Sequence, residues 1–210
     1  MLDSLLAQPG VEERLVLGSR FGLMGFHGGS LERMTDVIAT AAAERSGASL
    51  YTVRQPEHLR WHVPSRLFDP AHSPQLAAFL HHVDVVVAVH GYGRPGRFST
   101  VLLGGSNRAL AARLSTELRA GLDDYEIVDD LASVPEELRG LHPDNPVNRA
   151  RGGGVQLELP PRVRGLGPYW DAHPYDGRAG QGLSPHALSP HTEAVVTALA
   201  ATATATARSE

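Results

Sequence analysis

The chain has 210 residues, 42% of them hydrophobic and 20% charged, with a formal charge of −4 and no cysteine. That length suits one large domain able to bury a full core. The missing cysteine excludes disulfides, a thiol nucleophile and every thiolate metal site, and the negative balance gives no pull toward nucleic acid or an anionic membrane.

Strands and helices alternate along the sequence. Residues 15–17 and 21–26 read as short strands, the second ending at His27. Residues 31–45 follow, with Met34, Val37, Ile38, Ala41 and Ala42 at helical spacing. A strand is expected at 48–53, a short helix at 75–82, and at 84–90 an almost wholly apolar strand suited to a position covered on both faces. Residues 99–103 read as a strand, 109–122 as a helix, and 126–128 and 154–159 complete the sheet. Residues 165–189 are rich in Gly, Pro and Ser and read as an irregular loop. A final helix is expected at 190–201, with the Ala-Thr repeat of 202–210 a frayed tail. The expectation is a single α/β domain over 1–210, its core at about 12–164, with a mixed, mostly parallel sheet flanked by helices.

Three strands finish in polar residues. Phe26 runs into His27-Gly28-Gly29-Ser30-Leu31-Glu32, Val89 runs into His90-Gly91, and Glu158 interrupts the apolar segment Val155-Gln156-Leu157-Glu158-Leu159. Ligands gather at the carboxyl ends of strands in open α/β sheets, so His27 and His90 should meet at one end. Two glycines after His27 let the chain turn back, and Glu32 is expected in the first turn of the next helix, where the dipole favours a carboxylate. Two imidazoles and one carboxylate form the donor set of a catalytic zinc site with a position left for water. Taken singly, a helix-end glutamate and a strand-end histidine each have an ordinary structural explanation; together with Glu158 they favour the metal. Alternation puts Glu158 opposite Val155, Leu157 and Leu159 and level with Gln156, as a base that is not itself a ligand. The rival explanation for Glu158 is a buried pair with Arg162 or Arg164.

Gly91-Tyr92-Gly93-Arg94-Pro95-Gly96 matches a dinucleotide-binding spacing, but Pro95-Gly96 leads into a strand pattern rather than a helix. It is read as coincidental glycine in a hairpin, and nucleotide binding as the weaker function.

At these residues the chain resembles the phage-type poly-γ-glutamate hydrolase family, whose members look like reduced zinc carboxypeptidases. The matching segments are 26–32, Arg66-Leu67-Phe68-Asp69, Val89-His90-Gly91, Leu103-Gly104-Gly105, Asn148-Arg149 and 154–159. The resemblance implies a bacterial or phage metallohydrolase with a zinc carboxypeptidase-like fold. Zinc would be held by His27, Glu32 and His90, with Glu158 as general acid/base and γ-linked polyglutamate as substrate. The family's histidine falls at His62, a candidate for substrate binding. A cysteine the family carries before the Asn-Arg pair is replaced here by Pro146-Val147.

All 19 basic residues are arginine, which excludes a catalytic lysine. Arg66, Arg94, Arg97, Arg149, Arg151, Arg162 and Arg164 are expected near the same sheet edge, where guanidinium forks suit a polymeric or small acidic amide substrate. Arg149 is the expected catalytic arginine, and Arg66, His62 and Asn148 the other substrate contacts. The alternatives are a zinc amidase acting on another acyl-amino acid or a peptidoglycan fragment, and a zinc-containing binding protein without turnover. No nucleic-acid or membrane partner is expected. The start Met1-Leu2-Asp3-Ser4 lacks the positive flank of a signal peptide, so a cytoplasmic protein is expected, with release by lysis as an open route to an extracellular polymer.

Overall fold

The computed structural model describes residues 1–166 and 188–208. Its centre is the strand read as an apolar run: β4 (Val85–Gly91) alternates Val87 and Val89 toward one hydrophobic cluster with Val86 and Ala88 toward another. Burying each such valine contributes about 1.5–3 kcal/mol, which favours this segment in the middle of a sheet. Around it stand β1 (Glu12–Val16), β2 (Ser19–Gly29), β3 (Ala48–Gln55), β5 (Thr100–Leu103), β6 (Glu126–Val128) and β7 (Gly154–Leu159). The sheet order is β1-β3-β2-β4-β7-β5-β6. The four strands β3, β2, β4 and β7 run parallel; β1 is antiparallel to β3, and β5 is antiparallel to β7. The fold is therefore a single α/β domain on a mixed sheet.

Among the described residues six α-helices flank it: α1 (Leu2–Leu6), α2 (Thr35–Ser46), α3 (Pro74–His82), α4 (Arg108–Gly121), α5 (Pro146–Arg149) and α6 (Pro190–Ala207). The starts of α3, α4 and α6 follow from side-chain caps. Ser73 accepts from Leu76 N with Pro74 at the first turn, Asn107 accepts from Leu110 N, and Ser189 accepts from Thr192 N. The core reaches beyond 12–164, because Leu2 and Leu5 of α1 and Val195, Val196 and Leu199 of α6 are fully buried.

Two expectations are corrected here. The helix predicted from residue 31 begins at Thr35, because Met34 adopts a left-handed conformation (φ 77°) and Glu32 N bonds to His27 O (2.9 Å) in a turn. The predicted fraying after 201 is replaced by helix through Ala207, with Thr202 and Ala203 buried. The hydroxyls of Thr202, Thr204 and Thr206 bond back to the carbonyls of Ala198, Ala200 and Thr202, so the repeat satisfies its polar groups within the helix. A chain ending at Ala201 should accordingly melt several degrees lower, for a loss of about 1–2 kcal/mol. An unchanged Tm would show that the last turns contribute nothing. The expected loop at 165–189 falls largely outside the described residues.

The glycine-rich stretch after β4 is not a hairpin. β7 lies between β4 and β5, so the chain from Gly91 to Thr100 crosses over β7 before β5 begins. No helix starts there, as the dinucleotide motif would need.

Candidate metal centre and active site

β2 and β4 are parallel neighbours, so His27 and His90 emerge at the same end, with ring centroids 5.0 Å apart. Simple alternation would aim Phe26 and His27 to opposite faces. The pairing with β3 slips between Gly25 and Gly28, and both rings come to lie against Phe68. Gly29, at φ 71°, then turns the chain back; a Cβ there would stand 2.1 Å from Gln55 O. The turn carries Glu32 over the two histidines rather than into the first turn of α2.

Glu32 is the hub of the cluster. Its Oε1 lies 2.9 Å from His27 Nδ1, its Oε2 lies 3.5 Å from His90 Nδ1, and Oε2 also accepts from Gly91 N at 2.8 Å. Burial alone would raise its carboxyl pKa, but His27 and His90 outweigh that and hold it well below the usual carboxylate range. The His90 imidazole is affected in the opposite sense: burial pulls its pKa down, and Glu32 more than reverses this.

The donor chemistry fits a cation. His27 Nε2 lies 2.9 Å from Val63 O, and a carbonyl can only accept, so Nε2 carries the hydrogen. In the neutral ring Nδ1 then presents a lone pair to a carboxylate that also only accepts. Two acceptors at that distance call for a cation or an added proton between them, and a backbone carbonyl on the far nitrogen is how metal-bound histidines are oriented. His90 Nε2 is buried with no hydrogen-bond partner among the described residues.

His62 joins the cluster from a loop. Gln55 fixes that loop by donating to Trp61 O (2.9 Å) and accepting from Trp61 N (2.8 Å). Ligand atoms of His27, Glu32 and His62 all lie within 4.8 Å of one another. His62 is exposed and His90 is buried, so the two histidines differ in how firmly they are held. Burial, then the neighbouring His27, lowers the His62 pKa.

Glu158 stands beside His90 in register on β7, buried at 3% exposure. Its Oε1 accepts from Gln156 Nε2 at 2.8 Å. Burial, reinforced by the Glu32 charge, raises its pKa. The pairing with Arg162 or Arg164 is not found. Arg162 faces Asp124 and Ser99, and Arg164 donates to the carbonyls of Leu159, Arg33 and Tyr92. Burial lowers the Arg164 pKa to about 10.

These side chains line a cavity of about 450 Å³ that also takes in Arg66, Tyr92, Glu136, Glu137, His142 and Asn145. The Tyr92 hydroxyl donates to Arg97 O and Thr100 O, and burial raises its pKa to about 12. Of the seven arginines expected at this edge, Arg66 lines the cavity. Arg149 does not: it reaches Asp69 (3.3 Å) and Asp144 (3.4 Å). Arg94 pairs with Glu137, and Arg151 with Asp84 at the opposite end of the sheet. Arg151 precedes β7, which runs parallel to β4, so it must lie at the amino end. Asn148 does not line the cavity either: its side chain donates to Gly140 O and His142 O and accepts from Ser106 N. Asn145, three residues earlier, is the asparagine that lines the cavity.

A family model described as poly-gamma-glutamate hydrolase matches residues 4–166. The chain belongs to the poly-gamma-glutamate hydrolase family. Among solved structures, a bacteriophage poly-gamma-glutamate hydrolase is 24% identical with a TM-score of 0.71, the match covering 93% of this chain and 91% of that one. A zinc-free apo form of YndL is 21% identical with a TM-score of 0.61, covering 77% of each chain. A Burkholderia mallei protein assigned to the carboxypeptidases is 10% identical with a TM-score of 0.53, covering all of this chain and 66% of that one. At these identities the three share the fold. No curated protein sequence matches. No described helix is long and apolar enough to cross a membrane.

Proposed function

We propose that this member of the family is a zinc-dependent hydrolase of γ-glutamyl amide bonds, with His27, Glu32 and His90 as metal ligands and Glu158 as general acid/base. The observation that carries the reading is the meeting of both Nδ1 atoms on one carboxylate, with a buried glutamate one strand away that forms no salt bridge among the described residues. Zinc held there supplies Lewis acidity at the scissile carbonyl and lowers the pKa of the attacking water to about 7. Glu158 takes a proton from that water at its carboxylate and hands it to the leaving amine. Burial raises its pKa above the ordinary carboxylate value, which makes it the stronger base toward that water. Gly91 N donates to Glu32 Oε2 and keeps that carboxylate facing the two imidazoles.

Arg66 is the cation placed to hold a substrate carboxylate, taking the role expected of Arg149. Arg66→Ala should therefore raise KM on a γ-linked substrate severalfold at unchanged metal content, whereas Arg149→Ala should leave KM alone. Equal effects would return Arg149 to the site. Glu136 and Glu137 on the same cavity favour a second reading, an amidase for a less charged acyl-amino acid. Hydrolysis of γ-linked and α-linked polyglutamate and of an uncharged acyl amide, at matched length and ionic strength, separates the two. Cleavage of the γ-linked polymer alone is expected. If only the uncharged amide is cut, the chemistry stands and the substrate class is wrong.

A further inference from the structure

We propose that Gln156 is a positioning residue for Glu158, aimed so that an N–H donor occupies Oε1 and proton transfer is confined to Oε2. The inference rests on the reading of Glu158 as general acid/base. Gln156 lies two residues before Glu158 on the same face of β7, opposite Ala88 as Glu158 is opposite His90.

The orientation of its amide is determined link by link. Val147 N can only donate, and it lies 3.3 Å from Asn145 Oδ1, which fixes Asn145 with Nδ2 turned the other way. Asn145 Nδ2 can only donate, and it lies 2.8 Å from Gln156 Oε1. Gln156 Nε2 is thereby turned toward Glu158 Oε1 (2.8 Å), with Leu138 O at 3.4 Å on its other side. A flipped amide would set its oxygen against a carboxylate and a carbonyl, both acceptors. The cage is also steric. Gly140 (φ 62°) passes so close that a Cβ there would stand 2.4 Å from Gln156 Oε1 and 2.6 Å from its Cδ. A backbone amide of α5 thus sets, through two side-chain amides, which oxygen of the buried glutamate is left to exchange protons.

The test uses full-length, zinc-loaded enzyme. Gln156→Met keeps the volume and removes the donor. It should lower kcat roughly 10- to 100-fold with KM and metal content unchanged. In a Glu158→Gln background the same substitution should cost nothing more, because both act through one group. Readout without turnover comes from ¹⁵N spectra of the metal-free protein. The Gln156 side-chain amide signals should move on Glu158→Gln, and again on Asn145→Asp, which offers the amide an acceptor in place of a donor. Should Gln156→Met fail to fold, Gly140→Ala displaces the same amide with Gln156 in place, and the same non-additivity is expected. A Gln156→Met enzyme of normal kcat, a loss that adds in full to that of Glu158→Gln, or amide signals indifferent to Glu158 each overturn the positioning role while the acid/base reading stands. A Glu158→Gln enzyme with normal turnover overturns both.

Discussion

Glu158→Gln should keep the fold and the metal and lose turnover by about 10²- to 10⁴-fold, the range a positioned acid/base contributes. Glutamine fills the same space and still meets Gln156, but it cannot accept a proton. The control is stability. Burial already disfavours the charged carboxyl, and among the described residues no arginine is paired to it, so a neutral amide should leave Tm equal or higher. A large fall in Tm would mark Glu158 as a structural partner, and near-normal turnover at unchanged Tm would place the base elsewhere. Elemental analysis alongside kinetics distinguishes both from simple loss of metal.

The fold was legible where burial has a simple period. Between Asp84 and His90 the run has no polar interruption, and a strand covered on both faces is the arrangement that such a run can satisfy. The start of α2 was not legible, because Leu31 and Met34 continue the apolar spacing of the helix. What ends it is a long-range geometric demand: Glu32 must swing over two histidines, and a left-handed Met34 absorbs the change of direction. The end of α6 was misread for a different reason. An Ala-Thr repeat looks like low complexity, yet small side chains suit a helix wedged against its neighbours, and threonine hides its hydroxyl on the preceding turn.

In the site, the residues with anomalous chemistry stood out and the ones that hold them did not. His27, His90 and Glu158 are polar at strand ends or inside an apolar strand, which costs free energy unless something answers it. Gln156 carries no charge and alternation had already put it level with Glu158, but nothing in the sequence tied it to Asn145 or Gly140. The arginines misled because sequence position says which segment a guanidinium leaves from and not which acid it reaches. Arg149 meets Asp69 across 80 residues, and Arg94 meets Glu137 across 43.

His90→Ala should abolish zinc binding, whereas His62→Ala should retain the metal. His62 brings a ligand atom within 4.8 Å of those of His27 and Glu32, and His90 Nδ1 lies 3.5 Å from Glu32, so pre-organisation decides between them. His90 leaves a central strand, is 4% exposed, packs edge-on to Phe26 and already directs Nδ1 at the carboxylate shared with His27. His62 sits on an exposed loop and must give up side-chain freedom to ligate, a cost of up to about 1–2 kcal/mol that a strand-held ring has already met in folding. Two remaining ligands do not close a catalytic zinc site, so His90→Ala should show little zinc by elemental analysis. It should also lose the rise in Tm that zinc gives the wild type, since only a ligand bound to the folded state stabilises it. His62→Ala should keep that rise and change KM instead, as expected of a residue at the mouth of the cavity. Full zinc occupancy in His90→Ala together with loss in His62→Ala would assign the third ligand to the loop, and would leave the buried His90 as a hydrogen-bonding support for Glu32.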